Sequence, residues 1–223
     1  VLGSAMLPAL LALVAWLRCA GSQQRRSESP VLPWRRSRAW ALMAYFGIGT
    51  CAYTLVLAWL PVYYMDLGLS ASRGGLLLGA VSAMEVVAGL LVSSLVHRFP
   101  DRRPLLSLVL CIILVGLGCL IISPIELMLP AVLLVGLGIG ALFPLQLIVT
   151  SEAGALLAFV QGGGYTIAAL MPLLAGLIRD TTASLEWAWV CLLCGMLLVL
   201  LMTWKLKQPA AQQTIEGAAG AVR

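Results

Sequence analysis

The sequence predicts an all-α integral membrane protein, a helical bundle with about seven transmembrane helices. Three observations lead there. Of the 223 residues, 61% are hydrophobic and only 10% are charged, with a mean hydropathy of +1.02; soluble domains run at about half apolar and a quarter charged. The apolar residues form continuous runs of spanning length, and the charges cluster between those runs. Lipid is therefore the solvent for most of the chain, because there is too little polar surface to cover a water-soluble fold.

A helix crosses a bilayer with about 20 predominantly apolar residues. The first candidate, 1–17, is short and begins abruptly at Val1, so it reads as the tail of a helix belonging to an incomplete N-terminal bundle. No basic flank precedes it, which argues against a secretory signal. Residues 18–38 form a polar, basic cytoplasmic linker with Ser22, Gln23, Gln24, Pro30 and Pro33 among its arginines. Six spans follow, at 39–64, 74–96, 104–122, 128–150, 155–178 and 187–206. Together, residues 39–206 read as a six-helix bundle, and the Ala/Gln/Gly-rich residues 207–223 as a disordered cytoplasmic tail. A β-barrel is excluded, since barrel strands are alternating segments of about 10 residues, whereas these runs are unbroken and rich in Leu, Ala and Gly.

Charge orients the bundle. Alternate connections place twelve of the fourteen Lys and Arg on one side, leaving only Arg73 and Arg179 on the other. The rich side is the cytoplasm, so the C-terminus lies inside. Trp16, Trp34, Trp40 and Trp204 fall at inner boundaries, and Trp59, Trp187 and Trp189 at or near outer ones, where amphipathic indoles prefer to sit. The net charge of +5 does not mark a nucleic-acid binder, because the arginines lie between spans and not on one folded face. Cys191 and Cys194 have C-x-x-C spacing inside an apolar run without a nearby His or carboxylate; with Cys19, Cys51, Cys111 and Cys119 they read as small buried hydrophobes, and no metal or cofactor is expected.

Six helices after a long basic linker is the arrangement of the second half of a twelve-helix secondary transporter, in which two bundles enclose a central site. Twelve spans need about 400 residues, so the expected partners are the missing N-terminal half of the same transporter, the lipid bilayer and a small-molecule substrate.

A closer resemblance rests on combined motifs. Arg38-Ala39-Trp40, Tyr45-Phe46-Gly47, Ala58-Trp59-Leu60-Pro61 and Tyr63-Tyr64 with Gly68 resemble the seventh helix of the cyanate and nitroimidazole permease branch of the major facilitator superfamily. The stretches Gly136-Leu137-Gly138-Ile139-Gly140-Ala141-Leu142-Phe143-Pro144-Leu145 and Ala158-Phe159-Val160-Gln161-Gly162 with Gly164 agree with it over about 170 residues. Asp101-Arg102-Arg103, after His97, looks like a degenerate D-R-x-x-R loop signature of that superfamily, with charges that pair across helix ends and favour one gate state; a solvated positive-inside anchor is the plainer reading. The resemblance implies a transporter of a small anion or heteroaromatic solute. One departure is the short connection 150–154, which has no Lys or Arg where a longer polar loop is expected.

Glu85 lies near the centre of its span, where a charge costs a few kcal/mol to insert. It either titrates during proton coupling or organises a polar cavity; the alternative is a hydrogen-bonded carboxyl that only packs helices. Thr50 with Tyr53, Phe143 with Gln146, and Gln161 with Tyr165 are three or four residues apart and share helical faces. With Tyr45 they are the remaining candidates for a substrate cavity, against simple interhelical bonding or packing. Gly136 and Gly140 allow close helix contact. Gly162-Gly163-Gly164 weakens its helix and is a candidate hinge or unwound segment, and Pro61, Pro144 and Pro172 are candidate kink sites. A membrane enzyme is disfavoured by the lone His97 and the lack of an intramembrane Asp pair. A non-transporting assembly or receptor module remains the alternative to a transporter.

Overall fold

The computed structural model describes residues 37–96, 98, 101–151 and 156–205. The expected helix 1–17, the linker up to residue 36, His97 and the tail 207–223 lie outside the described residues. Within them the chain is all-helical, with six helices: α1 Ser37–Asp66, α2 Ala71–Leu95, α3 Arg103–Ile122, α4 Met128–Ser151, α5 Leu157–Thr182 and α6 Glu186–Lys205. Each has 20 to 30 residues, or about 30 Å or more at 1.5 Å per residue, long and apolar enough to cross a bilayer. The six spans read from the sequence are thus recovered, with ends displaced by at most a few residues.

Helix α1 packs most extensively on α5, while α2 and α3 both pack on α4, and α6 bridges α3 and α1. The core is a leucine-rich seam: Leu106, Leu110, Ile113, Leu117 and Leu120 of α3 are fully buried against Val132, Val135, Ile139 and Leu142 of α4 and Leu192, Met196 and Val199 of α6. The outside is equally apolar. Leu76, Leu90 and Leu173 are 70% exposed or more, a surface that would aggregate in water and is ordinary against lipid tails.

Without a hydrophobic force between helices in lipid, close packing must hold α2 to α4, and small residues permit it. A Cβ at Gly136 would sit 3.0 Å from the Val81 backbone, and one at Gly140 only 2.5 Å from the Glu85 Cα. The two glycines, one turn apart, seat α2 against α4 and set the position of Glu85.

One expectation is corrected. Gly162-Gly163-Gly164 is not unwound; it lies inside continuous α5, and Gly164 serves close packing, since a Cβ there would overlap the Phe46 ring and approach the Gly47 backbone nitrogen at 3.2 Å. Trp189, near the start of α6, is turned inward: it is fully buried, edge-on to Tyr63 at 5.6 Å between ring centroids. Trp187 and Trp204, by contrast, are 61% and 60% exposed near the ends of α6.

Replacing Gly140 by leucine is expected to destabilise the folded protein by about 1–3 kcal/mol through overpacking. Gly118→Leu, where a Cβ meets nothing within 4 Å, is expected to stay within about 0.5 kcal/mol. Equal losses in reversible denaturation of the two variants in mixed micelles would refute the α2–α4 seat.

Candidate functional site

The polar candidates divide into an enclosed set and an open set. Tyr45 and Thr50 of α1, Gln146 and Thr150 of α4 and Thr203 of α6 are all buried. The Gln146 Nε2 donates to the Tyr45 carbonyl at 3.2 Å, across from Gly49, where any Cβ would overlap the carboxamide. Thr203 Oγ1 donates to the Tyr45 hydroxyl at 3.5 Å, and Thr50 Oγ1 to the Phe46 carbonyl at 2.7 Å. The Gln161 Nε2 of α5 donates to Thr150 Oγ1 at 3.3 Å, and that hydroxyl in turn donates to the Gln146 carbonyl at 2.8 Å. Three of these bonds join different helices. One acceptor is left over: the Gln146 Oε1 is buried without a partner.

The open set comes from α1, α2, α4 and α5. Tyr53 and Phe143 are half-buried and stack with ring centroids 6.0 Å apart and 24° between planes. The buried ring of Phe46 lies 6.3 Å from that of Phe143 and edge-on to the exposed ring of Tyr165 at 5.2 Å. Glu85 is half-buried, and its Oε1 has no partner. Every other Asp, Glu, Lys or Arg among the described residues lies within a few positions of a helix end.

Asp101 has a local task. Its Oδ1 accepts the Arg103 backbone N–H at 3.1 Å, satisfying a donor at the start of α3 just before Pro104. Arg102 and Arg103 engage partners of their own.

The sequence reading missed the seam between α1 and α5. Pro172 has no N–H for the Ala168 carbonyl one turn before it. Thr54 Oγ1 of α1 supplies the missing donor at 2.9 Å, and Trp59 Nε1 donates to the Pro172 carbonyl at 3.0 Å. At the end of the same seam Arg179 forms a bidentate pair with Asp66, at 2.8 and 2.9 Å, and its guanidinium lies 5.9 Å from the Trp59 ring centroid. Both charged partners are about 40% exposed, so the ion pair fixes geometry more than it stabilises. A proline inside an apolar run was the available signal, since its freed carbonyl needs a donor from a neighbouring helix.

Thr54→Val is expected to cost about 1–2 kcal/mol by orphaning the Ala168 carbonyl. In a Pro172→Ala background, where residue 172 regains its N–H, the same substitution is expected to cost clearly less. A double-mutant cycle with no coupling energy would exclude this account of the seam.

The profile described as Major Facilitator Superfamily matches residues 1–154. The chain is 36% identical over 209 residues to the cyanate transport protein CynX of Escherichia coli, covering 87% of this chain and 54% of that protein. It is 31% identical over 205 residues to a 2-nitroimidazole transporter of Escherichia coli, covering 86% and 51%. To the uncharacterized transporter YycB of Bacillus subtilis it is 23% identical over 205 residues, covering 86% and 50%. The chain thus spans about half the length of the curated relatives it matches. Six apolar helices of spanning length, and a profile match over more than half of the residues, establish that the chain belongs to the major facilitator superfamily.

Proposed function

We propose that the chain forms the C-terminal six-helix half of a secondary transporter, together with the preceding helix 1–17 and the basic linker 18–38, and that a further N-terminal half completes a central cavity. The protein moves a small solute by alternating access, the two halves rocking about a site near mid-membrane. Cyanate, another small anion or a nitroheterocycle is the solute class, in keeping with the relatives' names. It sits in the bacterial inner membrane with its C-terminus in the cytoplasm, as the Lys and Arg distribution favours, and it performs no chemical conversion.

The observation that carries this reading is Glu85, half-buried near the middle of α2 with an unpartnered oxygen. An ionisable group at that depth is costly unless it has work to do. We assign Glu85 the uptake and release of the coupling proton. Tyr53, Phe143 and Tyr165 line the solute path, while Tyr45, Thr50, Gln146 and Gln161 stand behind them and hold the wall together. Asp101, Arg102 and Arg103 form the cytoplasmic gate loop. The bonded glutamines also suit a non-transporting assembly or receptor module, and transport assays decide between the two.

With the complete reading frame in sealed vesicles, saturable uptake of labelled cyanate or of one member of a panel of small anions and nitroheterocycles is expected, faster under an imposed proton gradient. No saturable uptake of any of them would leave the non-transporting reading. Glu85→Gln, at normal protein level, is expected to lose the gradient dependence; unchanged rate and gradient dependence would remove Glu85 from proton coupling.

A further inference from the structure

We propose that the crevice between α5 and α6, with α1 as its floor, binds one acyl chain of a bilayer phospholipid.

Helix α5 packs extensively on α1 and hardly on α6, and a cavity of about 300 Å³ lies where the two helices fail to meet. Its lining is aliphatic side chains with Met171, Gly195 and the thiols of Cys51 and Cys191. Small residues ordinarily let membrane helices close on one another. Here Gly195 closes on α1, where a Cβ would stand 3.2 Å from Ile48 Cγ2, and the side towards α5 stays hollow. Water does not suit the hollow, because an internal water needs about two to four polar partners and the Cys51 thiol already donates to the Ile167 carbonyl at 3.9 Å. Unfilled, the walls would forgo dispersion contacts that a hydrocarbon chain supplies.

The hollow is continuous with the lipid-facing surface. Leu170 and Leu174 are each 52% exposed and Cys191 is exposed, all within spanning helices. Trp187, four residues before Cys191 and so on the same side of α6, is exposed near the helix start, where an indole sits at headgroup level. Gly195 lies about 12 Å further along α6 at 1.5 Å per residue, within the roughly 15 Å that one leaflet's hydrocarbon spans. A chain whose headgroup rests beside Trp187 therefore reaches the bottom of the hollow.

The crevice also faces away from the ring series. Successive helical residues turn by about 100°, so Ile48 and Cys51 stand about 140–160° around α1 from Phe46 and Tyr53, and Ile167, Leu170 and Leu174 about 140–180° around α5 from Tyr165. The side assigned above to the solute path and the other half of the carrier is the opposite one. Lipid is what remains to cover the crevice, and a chain lodged there props α5 where α6 does not.

The full-length carrier, reconstituted in phosphatidylethanolamine–phosphatidylglycerol vesicles with a phospholipid bearing a mid-chain diazirine, is irradiated and the labelled residues are mapped by mass spectrometry. Labelling of Met171, Leu174 and Cys191 is expected to exceed that of Leu108 and Val115, similarly exposed on α3, by at least about threefold, a preference that added dispersion contacts supply over bulk lipid. Cys191→Phe, which fills the hollow from its exposed rim, is expected to abolish the excess at Met171 and Leu174. Cys194→Phe, exposed on the same helix but outside the lining, is expected to preserve it. Should Cys191→Phe not fold, Leu174→Trp takes its place, with the excess read at Met171 and Cys191. Labelling no greater than on α3, an excess that survives filling, or cross-links that seat the other half of the carrier over Leu170 and Leu174 would overturn the proposal. Solute uptake by the same vesicles bears on the transport reading alone.

Discussion

The close approach of α2 to α4 at Gly136 and Gly140 is the constraint on which the rest of this bundle depends. In lipid, apolar side chains gain nothing by leaving their surroundings for one another, so helices adhere through close backbone approach and through the few polar bonds they share. Gly140 leaves no room for a Cβ beside the Glu85 Cα. The same contact therefore both joins the helices and fixes where a carboxylate stands within the bundle. The ring series of Tyr53, Phe143, Phe46 and Tyr165 joins α1, α4 and α5.

A second constraint is that no backbone carbonyl can be left without a donor in hydrocarbon. Pro172 creates such a carbonyl at Ala168, and Thr54 of α1 answers it, with Trp59 and the Asp66–Arg179 pair continuing the seam. The seam makes α1 and α5 the most extensively joined pair of the bundle. The enclosed bonds of Gln146 to Tyr45 and of Gln161 to Thr150 bind α4 to the same two helices. These bonds hold α1, α4 and α5 at fixed spacing.

The spans were legible because the lipid requirement acts on composition and run length, both of which are local properties. Glu85 was legible for the same reason: a charge in the middle of an apolar run stands out without knowledge of its neighbours. Pairing by helical spacing was less informative. Tyr53 and Thr50 share a face by count, yet one stands on the open side and the other is buried against its own helix. Likewise Phe143 joins the ring series while Gln146, one turn later, bonds inward to Tyr45. Of the triple glycine, Gly163 and Gly164 pack closely while Gly162 faces open space, because what a glycine does depends on what lies opposite it.

By itself the sequence determined the membrane class, the number and limits of the six described helices and the deep placement of one carboxylate, since hydropathy along a chain follows from residue identity alone. Only the tertiary structure decided which polar groups face one another, that Trp189 belongs to the core, that Thr54 serves the carbonyl freed by Pro172, and that Tyr53 stacks on Phe143. Most of those contacts join residues far apart in the chain, 101 positions for Gln146 and Tyr45 and 114 for Thr54 and Ala168, and helices that are apolar on every side carry no pattern saying which face meets which neighbour.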